Sequence, residues 1–392
     1  MNIRSDRAVY SLIFFFVAVF SSWTVLERFT GYYGISLYAV ISGLLIGFIP
    51  QYWQTIQKIK PRLVTLVPFF VIIILSCLFL ILNPIANNKD YFGGSDSDDA
   101  LNQAATALLE GKYPYNELTY LGNAITPMPG AVLIAVPFVA VFGNSGTQNL
   151  FWISVFLLFL FFHFNKKHQA SALGGLLLLS LPLILYQLAI GSDHLANAIY
   201  VLLAFIMLDK YLGKNQSLLY VVALLNVGIA LSSRVNFTLL FPLFFFYGGY
   251  KYGWRRSLFT TGMSLLVFII VTLPFYLYNP DGFAPLHTRY KLDRFNNVLP
   301  NAQLIVPAVS LLTGILVIVL KRKMILLNDF LLSSAIVLFI PVLSGVILRS
   351  LQESHPSLGY SSYSTFFIPF VIVLFLTKFL GRDAEYQSRH TL

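Results

Sequence analysis

The sequence predicts an all-α polytopic membrane protein. Hydrophobic residues make up 57% of the 392 residues, charged residues make up only 11%, and the mean hydropathy is +0.75. Soluble globular domains carry roughly 25% charged residues, so this composition excludes an ordinary soluble enzyme. We expect residues 1–392 to form a single transmembrane domain of about 12 spanning helices, a re-entrant or juxtamembrane apolar segment, and an interfacial helix.

The spans are predicted from apolar runs, because crossing a bilayer as a helix takes about 20 mostly apolar residues. The first run follows Arg4 and Arg7 with no small-residue cleavage site, so we expect a retained span rather than a removed signal peptide. The predicted spans are 8–27, 35–53, 63–83, 147–164, 170–189, 194–212, 217–232, 235–250, 257–278, 303–320, 329–348 and 363–380.

A further apolar run, 127–143, is short and is interrupted by three prolines and two glycines. Basic residues concentrate on the cytoplasmic side of membrane proteins, which decides how this run is placed. If this segment enters the membrane and returns to the same side, 18 of the 26 basic residues are cytoplasmic. If it crosses the membrane fully, only 10 are cytoplasmic. The 18 are Arg4, Arg7, Lys58, Lys60, Arg62, Lys166, Lys167, Lys210, Lys214, Lys251, Arg255, Arg256, Lys321, Arg322, Lys323, Lys378, Arg382 and Arg389. We therefore expect a returning segment and two cytoplasmic termini.

The net charge of +10 does not indicate nucleic-acid binding, because the basic residues stand in small groups at the ends of spans. The acids instead favour the outer side, where two loops are long: residues 84–146 and residues 279–302. This asymmetry predicts that the polar chemistry lies on the non-cytoplasmic face.

The first long loop holds the most informative stretch, Gly93 to Asp99, in which Asp96, Asp98 and Asp99 fall within four residues. A short helix is predicted over 98–110, with Ser97 as its cap and Gly111 at its end. Its apolar residues recur at helical spacing, which is typical of a helix lying along the membrane interface. Three close acids at a membrane boundary suit general-base work, since burial and like charge both raise a carboxyl pKa.

Cations on the same face are the candidates for holding a phosphate. Arg234 stands between two apolar runs, and a cation at membrane depth marks a functional site by default. The second long loop and a further outer turn add four more candidates: Arg289, Lys291, Arg294 and Arg349.

Together these segments resemble the GT-C superfamily of integral-membrane glycosyltransferases. The resemblance rests on the Asp-rich outer loop, the stretch Ala-Leu-Leu-Glu-Gly-Lys-Tyr-Pro-Tyr at 107–115, and Pro-Met-Pro-Gly at 127–130, and it covers about residues 90–145. It implies inverting transfer of a sugar from a polyprenyl-phosphate donor to an acceptor hydroxyl, as in mannosyl- and arabinosyltransferase-like members. The resemblance implies that the general base is the loop acid that opens the interfacial helix, which is Asp98 in this sequence, followed by Asp99. If the alignment with the family shifts by two residues, the base is Asp96.

The resemblance also implies roles for a second outer acid, Asp193, and its neighbour His194. Tyr115 stacks on sugar or anchors the loop at the interface; the sequence leaves both open. The implied partners are the polyprenyl-phosphate-linked sugar, a glycan, lipid or protein acceptor, and membrane lipids. No metal ligand is assigned, although spaced Asp and Ser residues also suit a divalent cation. The compact size favours a bacterial inner membrane.

Two other functions compete with the glycosyltransferase. A transporter or lipid flippase carries charged residues near the bilayer midplane and internal repeats, and neither is evident in the sequence. A ligase or polymerase that uses diphosphate-linked glycans is expected to have larger, Arg-rich outer loops than the two found here. Both alternatives stay open at the level of the sequence.

Overall fold

The fold comes from a computed structural model, which describes residues 3–88, 95–212 and 218–380. These described residues are helical, with no strand among them. Gly93 and Gly94, which begin the predicted acidic stretch, lie outside them. The α-helices are α1 Ile3–Gln57, α2 Pro61–Ala86, α3 Asp99–Leu109, α4 Pro129–Phe142, α5 Gln148–His163, α6 His168–Leu179, α7 Pro182–Ala189, α8 His194–Leu212, α9 Leu218–Leu231, α10 Leu240–Tyr252, α11 Trp254–Tyr278, α12 Tyr290–Asp293, α13 Ala302–Leu320, α14 Leu327–Glu353 and α15 Ile368–Leu380.

The first helix reverses direction at Gly31, whose φ of 64° only glycine adopts without strain. A straight helix would separate Phe15 from Gly43 by about 42 Å. Instead, a Cβ at Gly43 would lie 3.3 Å from the Phe15 ring. α1 is therefore a hairpin of two antiparallel arms, one on each side of Gly31.

Seven segments are long and apolar enough to cross a membrane, with α1 counted once. The number rises to nine if each of two bent pairs forms one span. One pair is α6 with α7, bent by 74°, where Pro182 forces Leu181 into an extended conformation. The other is the 3-10 helix Gly359–Phe366 with α15, bent by 61°. The all-helical membrane class is confirmed, but the predicted count of about 12 spans is not.

Three features account for the difference between 12 and nine. α1 is counted once although it covers two predicted spans, 8–27 and 35–53. α9 has 14 described residues and α10 has 13, or about 20 Å each, which is too short to cross the hydrocarbon layer alone. α4, which is not counted among the 12, also has only 14 residues. α8 lies at the centre of the bundle, where 72% of its apolar window is buried inside the protein. α2, α11 and α13 are peripheral and present apolar side chains outwards, as membrane-facing helices do.

The first outer loop folds into a separate apolar cluster built from α3 and α4. The predicted stripe of α3 is buried at Leu101, Ala104 and Ala105 and packs against α4, while Leu109 is exposed. The N-terminal end of α4 is fixed by the Gly130 amide, which donates to the Ser232 carbonyl at 2.7 Å. α4 then ends at Gly143, in a left-handed conformation.

Both ends of α4 contact the same polar layer of the bundle. Gly130 at its start is bound next to Ser233 and Arg234, and Ser145 just after its end donates to the Asp98 carbonyl at 3.4 Å. This arrangement brings the described segment 95–146 against the turns that carry Asp193 and Arg234.

Candidate functional site

Asp98 is the most enclosed of the three predicted acids, with only 5% of its surface exposed. It occupies the N-cap position of α3, where the sequence predicted Ser97, and its side chain makes no capping hydrogen bond. The Asn87 amide donates to its Oδ2 at 2.8 Å. Burial raises the pKa of the Asp98 carboxyl to about 6, and the charge of Asp99 adds to the rise.

Asp96 and Asp99 instead organise the loop that follows α3. The Oδ2 of Asp96 accepts from the Thr119 hydroxyl at 2.6 Å and from the Asn123 amide at 2.8 Å. The Oδ2 of Asp99 accepts from the backbone amide of Tyr120 at 3.1 Å. These bonds tie the turn at 119–123 to the start of α3, whereas the one side-chain hydrogen bond described for Asp98 comes from Asn87.

Gly191 brings the second acid-bearing turn against the first. Its φ is +65°, and a Cβ built there would lie 2.7 Å from the Asp98 Cβ. The Asn83 amide fixes the same turn by donating to the Ala189 carbonyl at 3.0 Å. Only glycine fits the contact with Asp98. Asp98 therefore packs against a residue that precedes Asp193 by two positions.

Asp193 and Arg234 form a buried ion pair between the turn before α8 and the turn after α9. Only 1% of the Asp193 side chain is exposed, and its Oδ1 accepts a hydrogen bond from the Nη2 of Arg234. Asn197 donates to its other oxygen at 2.9 Å and accepts from the Tyr200 hydroxyl at 2.5 Å. Burial opposes ionisation of Asp193, but the Arg234 charge outweighs it, and the pKa of Asp193 is lowered.

The first outer loop reaches this ion pair through Thr126. The Arg234 Nη1 donates to the Thr126 hydroxyl at 3.3 Å, while its buried Nε has no hydrogen-bond partner. Tyr115 donates to the neighbouring Pro127 carbonyl at 3.1 Å. Its ring is buried, with its centroid 5.1 Å from that of Phe283, so it anchors the loop inside the protein. The pKa of Tyr115 is raised by this burial.

Lys291, in the segment 279–302 that is predicted as the second outer loop, contacts the site through Tyr363. Its Nζ lies 3.5 Å from the Tyr363 hydroxyl and 5.6 Å from the centre of that ring. The His194 ring lies 5.7 Å from the same Tyr363 ring and 4.6 Å from Phe366. Tyr363 therefore connects Lys291 to the residue beside Asp193.

The remaining predicted cations lie farther out. Arg349 is partly exposed and its Nε donates to Glu353 at 2.8 Å. Arg294 is exposed, and its carbonyl accepts from the Gln352 amide at 3.1 Å. The side chain of Arg289 lies outside the described part of the protein, although its 3-10 helix, Ala284–Arg289, contacts the helix that follows Arg234.

The structure thus connects Asp193, His194, Arg234 and Lys291, and it packs Asp98 against Gly191 in the turn that carries Asp193. Arg294 and Arg349 both lie near Tyr360, whose ring centroid is 6.0 Å from that of Tyr363. The sequence missed the supporting polar side chains and the ring that connects the loops. These are Asn83, Asn87, Thr126, Asn197, Tyr200 and Tyr363. Buried amides inside apolar runs are a signal that could have found Asn83 and Asn197, because such groups require partners.

An open cleft of about 630 Å³ lies at the end of α14, but it is not the site assembled above. Ser350, His355 and Leu358 are among the residues that line it, and none of the clustered acids does. The buried carboxylates, ion pair and neighbouring lysine carry the chemical argument, because shape alone does not create reactivity.

Within 3–88, 95–212 and 218–380, no group of three or more His, Cys, Asp or Glu residues is arranged to hold a metal ion. The predicted divalent cation therefore stays a prediction. A scan against protein-family models and searches of curated proteins and of solved structures gave no match.

Proposed function

We propose that this chain is an inverting membrane glycosyltransferase that moves a sugar from a polyprenyl-phosphate donor to an acceptor hydroxyl. The observation that carries the proposal is Asp98, a buried carboxyl of raised pKa held against the turn of the Asp193–Arg234 ion pair. A general base is most effective when its pKa lies near the working pH, and about 6 meets that requirement.

In the proposed step, the ionised Asp98 carboxylate takes the proton from the acceptor hydroxyl. The acceptor oxygen forms a bond to the anomeric carbon, on the face opposite the phosphate. The bond from that carbon to the phosphate oxygen breaks, and the polyprenyl phosphate leaves with the electron pair. The configuration at carbon is inverted, and no covalent enzyme intermediate is needed.

The leaving phosphate needs a cation that is not already neutralised. Arg234 is engaged by Asp193, so we assign it mainly to holding the two turns together. Lys291 lies near this pair and has only a tyrosine hydroxyl as its described polar contact, which makes it the better phosphate ligand. Arg289, Arg294 and Arg349 are proposed to guide the donor towards it.

The proposed setting is a bacterial inner membrane with both termini in the cytoplasm and the site on the periplasmic face. The acceptor is a glycan, lipid or protein hydroxyl. The distribution of basic residues along the sequence supports this orientation.

A transfer assay tests the proposal. Purified protein is given radiolabelled polyprenyl-phosphate sugars, matched polyprenyl-diphosphate glycans, and an acceptor extract from cell envelopes. Transfer from the monophosphate donor that Asp98→Asn abolishes supports the proposal. Transfer only from the diphosphate donor favours the ligase or polymerase alternative, and no transfer from either donor contradicts enzymatic function.

A transporter or flippase is the second candidate, and the two bent helix pairs favour it. Broken spans commonly form transport sites, and here the two bent pairs contact each other: the Gln187 amide of α7 donates to the Ser362 carbonyl at 3.3 Å. Measuring flux of labelled lipid-linked sugar across proteoliposomes separates the two functions. Flux that survives Asp98→Asn, together with no transfer, would favour the transporter.

A further inference from the structure

A second cleft lies between the two arms of α1, away from the proposed glycosyltransferase site. Its volume is about 700 Å³, within the range of roughly 300–1,000 Å³ that small-molecule sites occupy. Both arms present one helical face to it. The lining residues are Arg7, Ala8, Ser11, Leu12 and Phe15 from the first arm and Gly43, Ile46, Gly47, Pro50, Gln51 and Gln54 from the second.

The cleft is polar at one end and apolar at the other. At the inner end, the Phe15 ring closes over Gly43. At the mouth stand Arg7 and the amides of Gln51 and Gln54. A ligand that fills the cleft therefore has an apolar portion and a polar, negatively charged end.

A buried hydroxyl inside the cleft lacks a partner. Ser11 is only 5% exposed, and its Oγ makes no hydrogen bond. Leaving a buried hydroxyl unpaired costs free energy, so an oxygen of a bound ligand would satisfy it.

Two cations lie near the mouth of the cleft. The Arg7 guanidinium lies 5.6 Å from the centre of the Phe379 ring, and the Lys378 ammonium lies 4.8 Å from that of Tyr10. Both cations therefore gather where the first arm meets α15. Anionic lipid headgroups are attracted to such juxtamembrane basic groups.

We propose that this cleft is a binding site for one anionic phospholipid. Its phosphate lies at Arg7, its ester oxygens reach Ser11, and one acyl chain runs between the arms towards Phe15. The proposal does not depend on the glycosyltransferase activity.

Gly47 offers a way to fill the cleft without disturbing the protein. A Cβ built there meets nothing within 4 Å, so Gly47→Leu extends into the cleft. Gly262 on α11 is exposed and has the same open surroundings, so Gly262→Leu is its matched control. Arg255→Gln, at an exposed arginine at the start of α11, is the control for Arg7→Gln.

Native mass spectrometry of the full chain in detergent measures the binding. The probes are phosphatidylglycerol, phosphatidylcholine and diacylglycerol with identical chains, and inorganic phosphate. We expect one saturable phosphatidylglycerol, lost in Gly47→Leu and weakened about tenfold in Arg7→Gln. Both controls should bind as the unaltered protein does.

Several outcomes would overturn the proposal. Unchanged phosphatidylglycerol binding in Gly47→Leu places the lipid elsewhere. Equal binding of phosphatidylcholine removes the preference for negative charge, and full competition by inorganic phosphate shows a free-anion site. Thermal unfolding of each variant is measured alongside, and a folded Gly47→Leu variant makes its result decisive.

Discussion

Replacing Asp98 by Asn is the sharpest test of the proposed base, because the substitution keeps the shape and removes the charge. The pKa of this carboxyl rises from 3.8 to about 6 on folding, a difference of about 2 units. Each unit corresponds to about 1.4 kcal/mol, so the ionised form costs the folded state about 3 kcal/mol. Asn carries no such cost and can still bond to Asn87.

The sign of the pH dependence follows from the raised pKa. The folded protein holds this proton more tightly than the unfolded chain, so stability is greatest below about pH 4 and falls as the pH rises towards about 6. In Asp98→Asn that loss disappears, and the variant should be more stable than the original at pH 8, by up to about 3 kcal/mol. Thermal unfolding in detergent at pH 4 and pH 8 measures the difference.

Activity should change in the opposite direction. Loss of a general base lowers the rate by about 10²–10⁴-fold. The rate of the original protein should rise with pH through about 6, as the base loses its proton. Asp96→Asn is the control, because Asp96 binds Thr119 and Asn123 rather than the proposed acceptor. This variant should retain most of the activity. Full transfer in a stably folded Asp98→Asn variant would refute the assignment, as would lower stability at pH 8.

Three further predictions concern the surroundings of the base. Arg234→Gln leaves the Asp193 charge buried without its partner and should lower the free energy of unfolding by about 3–5 kcal/mol. Adding Asp193→Asn removes that charge and should recover part of the lost stability, which unfolding measurements in a double-mutant cycle would show. A double variant as unstable as Arg234→Gln alone contradicts this. Gly191→Ala and Gly111→Ala both place alanine at positive φ, which should lower the stability of the folded protein by about 1–2 kcal/mol. Only the alanine at 191 also clashes with Asp98, so the melting temperature of Gly191→Ala should fall further than that of Gly111→Ala. Lys291→Gln should raise the KM for the lipid-linked donor about tenfold with a smaller effect on kcat, and an unchanged KM would remove it from phosphate binding.

Local sequence patterns anticipated several elements well. The helix predicted over 98–110 is found as Asp99–Leu109, and its apolar stripe is buried where the spacing indicated. The predicted returning segment 127–143 also coincides with a short helix, α4. Proline stands in the first turn of α2, α4 and α7, where its fixed φ suits the position, but the predicted span 170–189 runs through Pro182. These features depend on neighbouring residues, which is why the sequence reveals them.

The span count and the grouping of the cations were harder to predict. Hydropathy measures how apolar a run is, but it does not distinguish a helix that crosses the membrane from one that bends or packs inside the bundle. The 74° bend between α6 and α7 and the 14-residue α9 show that difference. Arg349 shares charge and predicted side with Lys291, yet its Nε is engaged by Glu353, whereas the described polar contact of Lys291 is the Tyr363 hydroxyl.

By itself the sequence determined that this protein is helical and lies in a membrane, because apolar content and helical period act over a few neighbouring residues. It also narrowed the proposed base to three acids within four residues. Only the tertiary structure distinguishes their surroundings, since Asp96 and Asp99 bind the turn at 119–123, whereas Asp98 packs against Gly191, 93 positions along the chain. Burial and pairing are set by residues distant in sequence, and those contacts give a carboxylate its pKa.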